Sequence, residues 1–127
     1  MTPLSSDNIT NLLQTFLDVN SKRAEVTAGN IANADTPGYV AKKLEFESFL
    51  HDAARQASLP PSQQEQLPMS GLNIVDQQSD AIGMDGNTVD LGKEMAELAS
   101  AGGAFSFGAK MLQSRLRLLR TAIREGK

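Results

Sequence analysis

Between Ser6 and Asn33 the apolar positions Ile9, Leu12, Leu13, Phe16, Leu17 and Val19 recur at steps of three and four, and Ala24, Ala28 and Ile31 extend the stripe. That period predicts an amphipathic helix. Ser5, Ser6 or Asp7 can cap its start. After Asn20 the large apolar residues give way to Ala, Thr and Gly29. A small-residue face lets another helix approach closely but buries little apolar area, so this half is expected to be the less stable one alone.

The pattern then stops. Asn30 and Asn33 can close turns through their side-chain amides and tolerate left-handed backbone. Pro37 disfavours helix at Thr36 and donates no hydrogen bond, and Gly38 supplies the permissive residue of a turn. Tyr39 and Val40 can run extended. A second helix is predicted over Leu44–Ala57, with Leu44, Phe46, Phe49, Leu50, Ala53 and Ala57 apolar. LPPSQQEQLP after it reads as a linker by composition. Short apolar runs at Leu72–Val75 and Ala81–Ile82, set between turn signals, predict a short strand or hairpin. Asp85-Gly86-Asn87 reads as a turn.

The last segment starts near Thr88 or Asp90, either of which can cap it, and runs to about Arg124. Leu91, Met95, Leu98, Phe105, Leu112, Leu116, Leu119 and Ile123 fall close to one stripe, with Arg117, Arg120 and Arg124 on a separate face. Gly102, Gly103 and Gly108 interrupt it, each costing about 1 kcal/mol relative to Ala. The middle third of this helix is therefore predicted to kink or to fold only against a partner. The whole reads as residues 1–57 (helix, turn, second helix), a loosely structured 58–84, and a terminal helix in 85–127, making one mainly α domain. Two arrangements satisfy the stripes: assembly with other copies, or a monomeric bundle in which the short helix covers the seam.

Composition narrows the function more than the fold. With 40% apolar residues, 5% aromatic and no Trp, the core is modest. A net charge of −3 argues against general nucleic-acid binding. The charge is unevenly placed: residues 60–100 hold seven acids and one base, and residues 101–127 hold six bases and one acid. Either the basic tail meets an acidic surface such as another copy's middle segment, or Arg and Lys simply complement the dipole at a helix C-terminus.

Candidate chemistry is scarce. Without Cys there is no disulfide, thiolate nucleophile or Cys-based zinc site, and His51, the single histidine, has no second imidazole to share a metal. Asp85–Asp90 lacks the glycine and the bidentate Glu of a calcium loop. No G-x-S-x-G, G-x-G-x-x-G or P-loop pattern occurs. The expectation is no enzyme, no cofactor, no metal and no small-molecule substrate. The N-terminus lacks a positively charged region ahead of its apolar residues, so no Sec-type signal is expected, and no apolar run is long enough to cross a bilayer.

Two motifs carry a resemblance. Asn-Ile-Ala-Asn-Ala-Asp-Thr-Pro-Gly-Tyr, from Asn30 to Tyr39, closely resembles the signature near the N-terminus of the flagellar axial proteins, the rod, hook and hook-associated family. Asp-Gly-Asn-Thr-Val-Asp-Leu, from Asp85 to Leu91, together with the short chain, resembles the proximal-rod branch of that family. The likeness covers roughly residues 8–50 and 84–124. It departs at Ala101-Gly102-Gly103-Ala104, where relatives carry polar and bulky residues, and at Gly92, where an acid is common.

The resemblance implies a structural subunit whose N- and C-terminal helices pair as an antiparallel coiled-coil-like unit and stack helically into a hollow, torque-transmitting shaft. Its implied partners are other copies, other rod subunits, the rod-base adaptor protein, the membrane ring and the flagellar type III export apparatus. The implied location is the periplasmic rod, reached without a cleaved signal. Asn30, Asn33, Thr36, Pro37, Gly38, Tyr39, Asp85, Gly86, Asn87 and Asp90 are the implied assembly motif. Leu12, Leu13, Phe16, Leu112, Leu116, Leu119 and Ile123 are the expected helix-pairing stripe. A small helical adaptor or secretion chaperone is the competing reading, but it has no need of an Asn-rich Thr-Pro-Gly-Tyr turn.

Overall fold

A computed structural model describes residues 6–79 and 82–126. Two long helices dominate it: α1, Ser6–Ala32, and α3, Leu91–Glu125. At about 1.5 Å per residue they span about 40 and 52 Å. Between them lie a strand β1, Lys42–Glu45, a short helix α2, Glu47–Ala57, two single 3₁₀ turns at Pro61–Gln63 and Met69–Gly71, and a strand β2, Asn73–Asp76.

The long helices run antiparallel. Phe16 packs on Gly108, Arg23 meets Glu97 and Asn30 meets Glu94. Carried down the pair, this register brings Ser6 level with about position 118, so the last turns of α3 run past the described part of α1. Helix α3 is unbroken through Gly102 and Gly103, contrary to the predicted kink. Both of those glycines are exposed, with nothing near a notional Cβ. Gly108 differs: a Cβ there would lie 2.8 Å from Phe16 Cδ1 and 3.1 Å from Leu17 Cδ2. There the side chains of α1 press directly onto the α3 backbone.

Asp90 caps α3 as expected, its Oδ1 accepting from Lys93 N at 3.2 Å. The first-helix caps proposed at Ser5, Ser6 and Asp7 lie outside the described side chains. Helix α2 starts later than predicted. Leu44 belongs to β1 and Phe46 only precedes the helix. Buried Leu44, at 4% exposure, alternates with exposed Lys43 and Glu45, the period-two pattern of a strand that a helical count also accommodates.

The strand expected near Leu72–Val75 is present, and β1 is its partner, in antiparallel register from Lys42 with Asp76 to Glu45 with Asn73. The ladder therefore closes around α2 instead of within residues 69–87. Of the second apolar run, Ala81 lies outside the described residues and Ile82 is exposed. Phe49 and Ala57 bury α2 against the rest, and Asn8 Nδ2 donates to Ala57 O at 3.1 Å. Among the described residues no helix is long and apolar enough to cross a membrane.

The buried face of α3 takes in only part of the stripe of large apolar residues. Glu94, Ala101 and Gly108 are buried, and Leu112 and Leu119 are half-buried. Leu91, Met95, Phe105, Leu116 and Ile123 stay exposed along one flank of that row, and Phe107, Met111 and Leu118 along the other. At about 100° per residue the two sets lie on opposite sides of the seam with α1. In its first half, α3 spends its closest face on small and polar residues, because α1 offers Asn20, Arg23, Thr27 and Asn30 there.

Candidate assembly site

The two sequence motifs, about fifty residues apart in the chain, fold into a single interlocked unit at one end of the helix pair. Tyr39 N donates to Thr36 O at 3.2 Å and Gly38 has φ +74, so Thr36–Tyr39 is a type II turn with Pro37 and Gly38 in the positions that favour them. Asn33 sets it up. Its Nδ2 donates to Gly29 O at 2.8 Å, closing the end of α1, and its Oδ1 accepts from Thr36 Oγ1 at 3.1 Å.

The second turn docks on the first. Gly38 N donates to Asp85 O at 2.9 Å and Thr88 N to Tyr39 O at 3.1 Å. Ala41 N donates to Thr88 Oγ1 at 2.9 Å. Gly86, at φ +80, would place a Cβ 3.5 Å from Gly38 Cα, so glycine faces glycine across the junction. Asn87 is the lock. It is 7% exposed, and its Nδ2 reaches the carbonyls of Asn33 at 2.9 Å, Ala34 at 3.0 Å and Thr36 at 2.8 Å. Its Oδ1 accepts from Val89 N at 2.8 Å. One amide thus gathers three carbonyls of the turn that follows α1, of which Asn33 O and Thr36 O also accept the backbone N–H groups of Thr36 and Tyr39.

Asn30, 1% exposed, ties this unit to both neighbours. Its Nδ2 donates to Lys42 O at 2.7 Å and to Glu94 Oε2 at 3.0 Å. Its Oδ1 accepts from Lys42 N at 2.9 Å and from Tyr39 Oη at 3.2 Å. The lone tyrosine of the chain therefore holds the buried asparagine that joins α1, β1 and α3.

Glu94 and its surroundings escaped sequence reasoning. Glu94 is 3% exposed. With the Gln77 amide oriented to face it, Gln77 donates to Oε1 at 2.9 Å and accepts from Lys93 Nζ at 2.9 Å. One helical turn on, Arg23 Nη2 donates to Glu97 Oε1 at 2.7 Å, Nη1 to Asn20 Oδ1 at 2.7 Å, and the guanidinium lies 4.1 Å from the Phe46 ring centroid. Lys42 and Asp76 pair across the strands. A signal for this seam did exist: Asn20, Arg23, Thr27 and Asn30 continue the three-and-four spacing of the apolar stripe, with polar side chains.

The remaining site residues fall into place around this unit. Asp85 Oδ1 accepts from Asn87 N at 3.1 Å, and Asp90 is the α3 cap. Of the expected pairing stripe, Leu12, Leu13, Phe16, Leu112 and Leu119 are half-buried, while Leu116 is 48% and Ile123 78% exposed. His51 is exposed on α2. Among the described residues no cluster of His, Asp or Glu could hold a metal ion.

In this unit the polar side chains are spent on the backbone of the two turns and on one another. It is a joint that sets the angle between two helices and the strand pair beside them. A family model described as flagella basal body rod protein matches residues 17–39, the polar part of α1 and the first turn. Proteins described as flagellar basal body rod protein FlgB are similar along almost the whole chain. The Escherichia coli (strain K12) protein is 30% identical over 89% of this chain and 91% of its own length. The Aeromonas hydrophila protein is 32% identical over 95% and 96%, and the Bacillus subtilis (strain 168) protein 29% identical over 98% of each. The joint, the exposed apolar flanks and this end-to-end similarity agree, and they set aside both the enzyme and the adaptor readings: the chain belongs to the FlgB family of flagellar basal body rod proteins, structural subunits of the rod.

Proposed function

We propose that the chain is a subunit of the proximal part of the rod, that it polymerises helically with neighbouring rod subunits through α1 and α3, and that the polymer transmits torque for motility. The observation that carries this is the exposure of large apolar side chains on both flanks of α3, among them Met95 at 59%, Phe107 at 63%, Leu118 at 70% and Ile123 at 78%. A stable monomer has no use for two such flanks, whereas a helix with a neighbour on each side buries both.

In this reading Leu12, Leu13, Phe16, Leu112, Leu116, Leu119 and Ile123 pair the helices and complete their burial when neighbours arrive. The joint built from Asn30, Asn33, Thr36, Pro37, Gly38, Tyr39, Asp85, Gly86, Asn87 and Asp90 holds the strand pair and α2 at a fixed angle for lateral contacts. The partners are other copies, further rod subunits, the rod-base adaptor and the membrane ring. The chain reaches the periplasmic rod through the flagellar type III export apparatus with no signal cleaved. Export through a narrow channel suits helices that hide their apolar flanks only after assembly.

The test is the double substitution Pro37→Ala with Gly38→Ala, which removes the φ restraint and places a Cβ at φ +74. Secretion should persist while rod assembly and swimming fail. Normal motility with normal basal bodies in that strain would refute the role given to the joint.

A further inference from the structure

The single chain leaves two surfaces of opposite charge that do not touch. One is a cleft between the first half of α1 and the run Gln56–Met69, lined among others by Asn11, Leu12, Asp18, Gln56, Glu65 and Leu67. Its charged liners are Asp18 and Glu65. Both are exposed, and neither has an ion-pair partner among the described residues. No residue of α3 lines it. The other surface is the free end of α3, where Leu116, Arg120, Ile123 and Arg124 share one face at steps of four, three and one. Leu116 and Ile123 are exposed, and Arg117, Arg120 and Arg124 make no ion pair among the described residues. From Ala99 to Arg124 the helix carries five bases and no acid.

We propose that the C-terminal end of α3 docks in this cleft on a second copy of the chain, with Arg120 and Arg124 facing Asp18 and Glu65 and with Leu116 and Ile123 against Leu12 and Leu67. Two observations favour a second copy as the occupant. The complementary surfaces belong to the same sequence. The amide-rich wall of the cleft, with Asn11 and Gln56, offers hydrogen-bond groups that accept a solvated basic helix more readily than a purely apolar one.

The consequence is geometric. Tip and cleft are different patches, so the contact is head-to-tail, and successive copies do not close into a dimer but continue into an open array. The charges set register and salt sensitivity, and the apolar pair supplies burial. This also gives the basic tail and the acidic middle segment a common use. The inference rests on the proposed polymerisation and names the surfaces that carry it.

The experiment uses the full chain and charge reversal, since none of the four charged side chains makes an ion pair among the described residues. Arg120→Glu with Arg124→Glu, and separately Asp18→Arg with Glu65→Arg, should each weaken concentration-dependent self-association in analytical ultracentrifugation by about tenfold or more. All four changes in one chain should restore it to within about threefold. Unchanged circular dichroism verifies that each variant folds. Because the chain has no Cys, a second readout is direct: Gln66→Cys with Gln113→Cys should give a ladder of disulfide-linked multimers in assembled basal bodies. Reversals that leave association unaltered, a quadruple variant that stays impaired, or basal bodies without a ladder would each overturn the docking. The function itself fails by a different result, a deletion strain that still builds its rod.

Discussion

At the end where the turns interlock, the seam between α1 and α3 buries Asn20, Arg23, Thr27, Asn30 and Glu94, and Asn20, Arg23, Asn30 and Glu94 are hydrogen-bonded within it. Toward the other end the contact is Phe16 and Leu17 against Gly108, followed by half-buried leucines. Beyond it lie exposed Leu116, Leu118 and Ile123, and Arg115 Nε is buried without a hydrogen-bond partner among the described residues. The first end is satisfied within one chain; the second leaves large apolar side chains uncovered. A polar seam is directional and specifies one angle and one register, while an apolar flank is permissive about who covers it.

The sharpest way to break the comparison is at the joint. Asn30→Ala strips partners from Lys42 N and O, Tyr39 Oη and Glu94 Oε2, all inside the polar seam. We expect a loss of about 3 kcal/mol, read from urea unfolding of the purified chain. A loss below about 1 kcal/mol would mean that water replaces the asparagine and that the seam does not set the fold.

At the boundary between the two ends, Gly108→Ala sets a Cβ 2.8 Å from the Phe16 ring. The steric cost exceeds the gain in helix propensity, for a net loss of about 1 kcal/mol. Gly102→Ala, in open space on the same helix, should instead stabilise by up to about 1 kcal/mol. Opposite signs in thermal melts at these two positions would confirm that only Gly108 is a close-approach glycine.

The smallest expected effect on the isolated chain comes at the unfinished end. Leu118→Ser should change monomer stability by less than about 0.5 kcal/mol, because the side chain is already 70% exposed. The same change should depress rod assembly in cells. A large loss of monomer stability would show instead that this flank is covered within the single chain.

Much of this architecture was legible along the chain. The three-and-four spacing located both long helices, Asp90 announced the start of α3, and Pro37-Gly38 announced a turn with the right residue at positive φ. Less legible was the start of α2: Leu44 and Phe46 satisfy a helical count, yet β1 takes Leu44 because β2 offers a partner, and pairing between distant segments leaves no local trace. The predicted stripe on α3 coincides with the buried row only in part: Leu98, Leu112 and Leu119 are half-buried, while Leu91, Met95, Phe105, Leu116 and Ile123 are exposed. Hydrophobicity identified residues of the right type, whereas full burial in one chain went to the side chains that match α1, Glu94, Ala101 and Gly108.

By itself the sequence determined the local elements and the two motifs, because backbone propensity, capping and turn chemistry act within a few residues. Only the tertiary structure decided that those motifs are one object, with Asn87 closing the carbonyls of Asn33, Ala34 and Thr36 and with Asn30 joined to Glu94 across the helix pair. Such a joint depends on side-chain amides meeting at hydrogen-bond distance from opposite ends of the chain. No periodicity encodes that meeting, and it exists only once α1 and α3 lie side by side in one register.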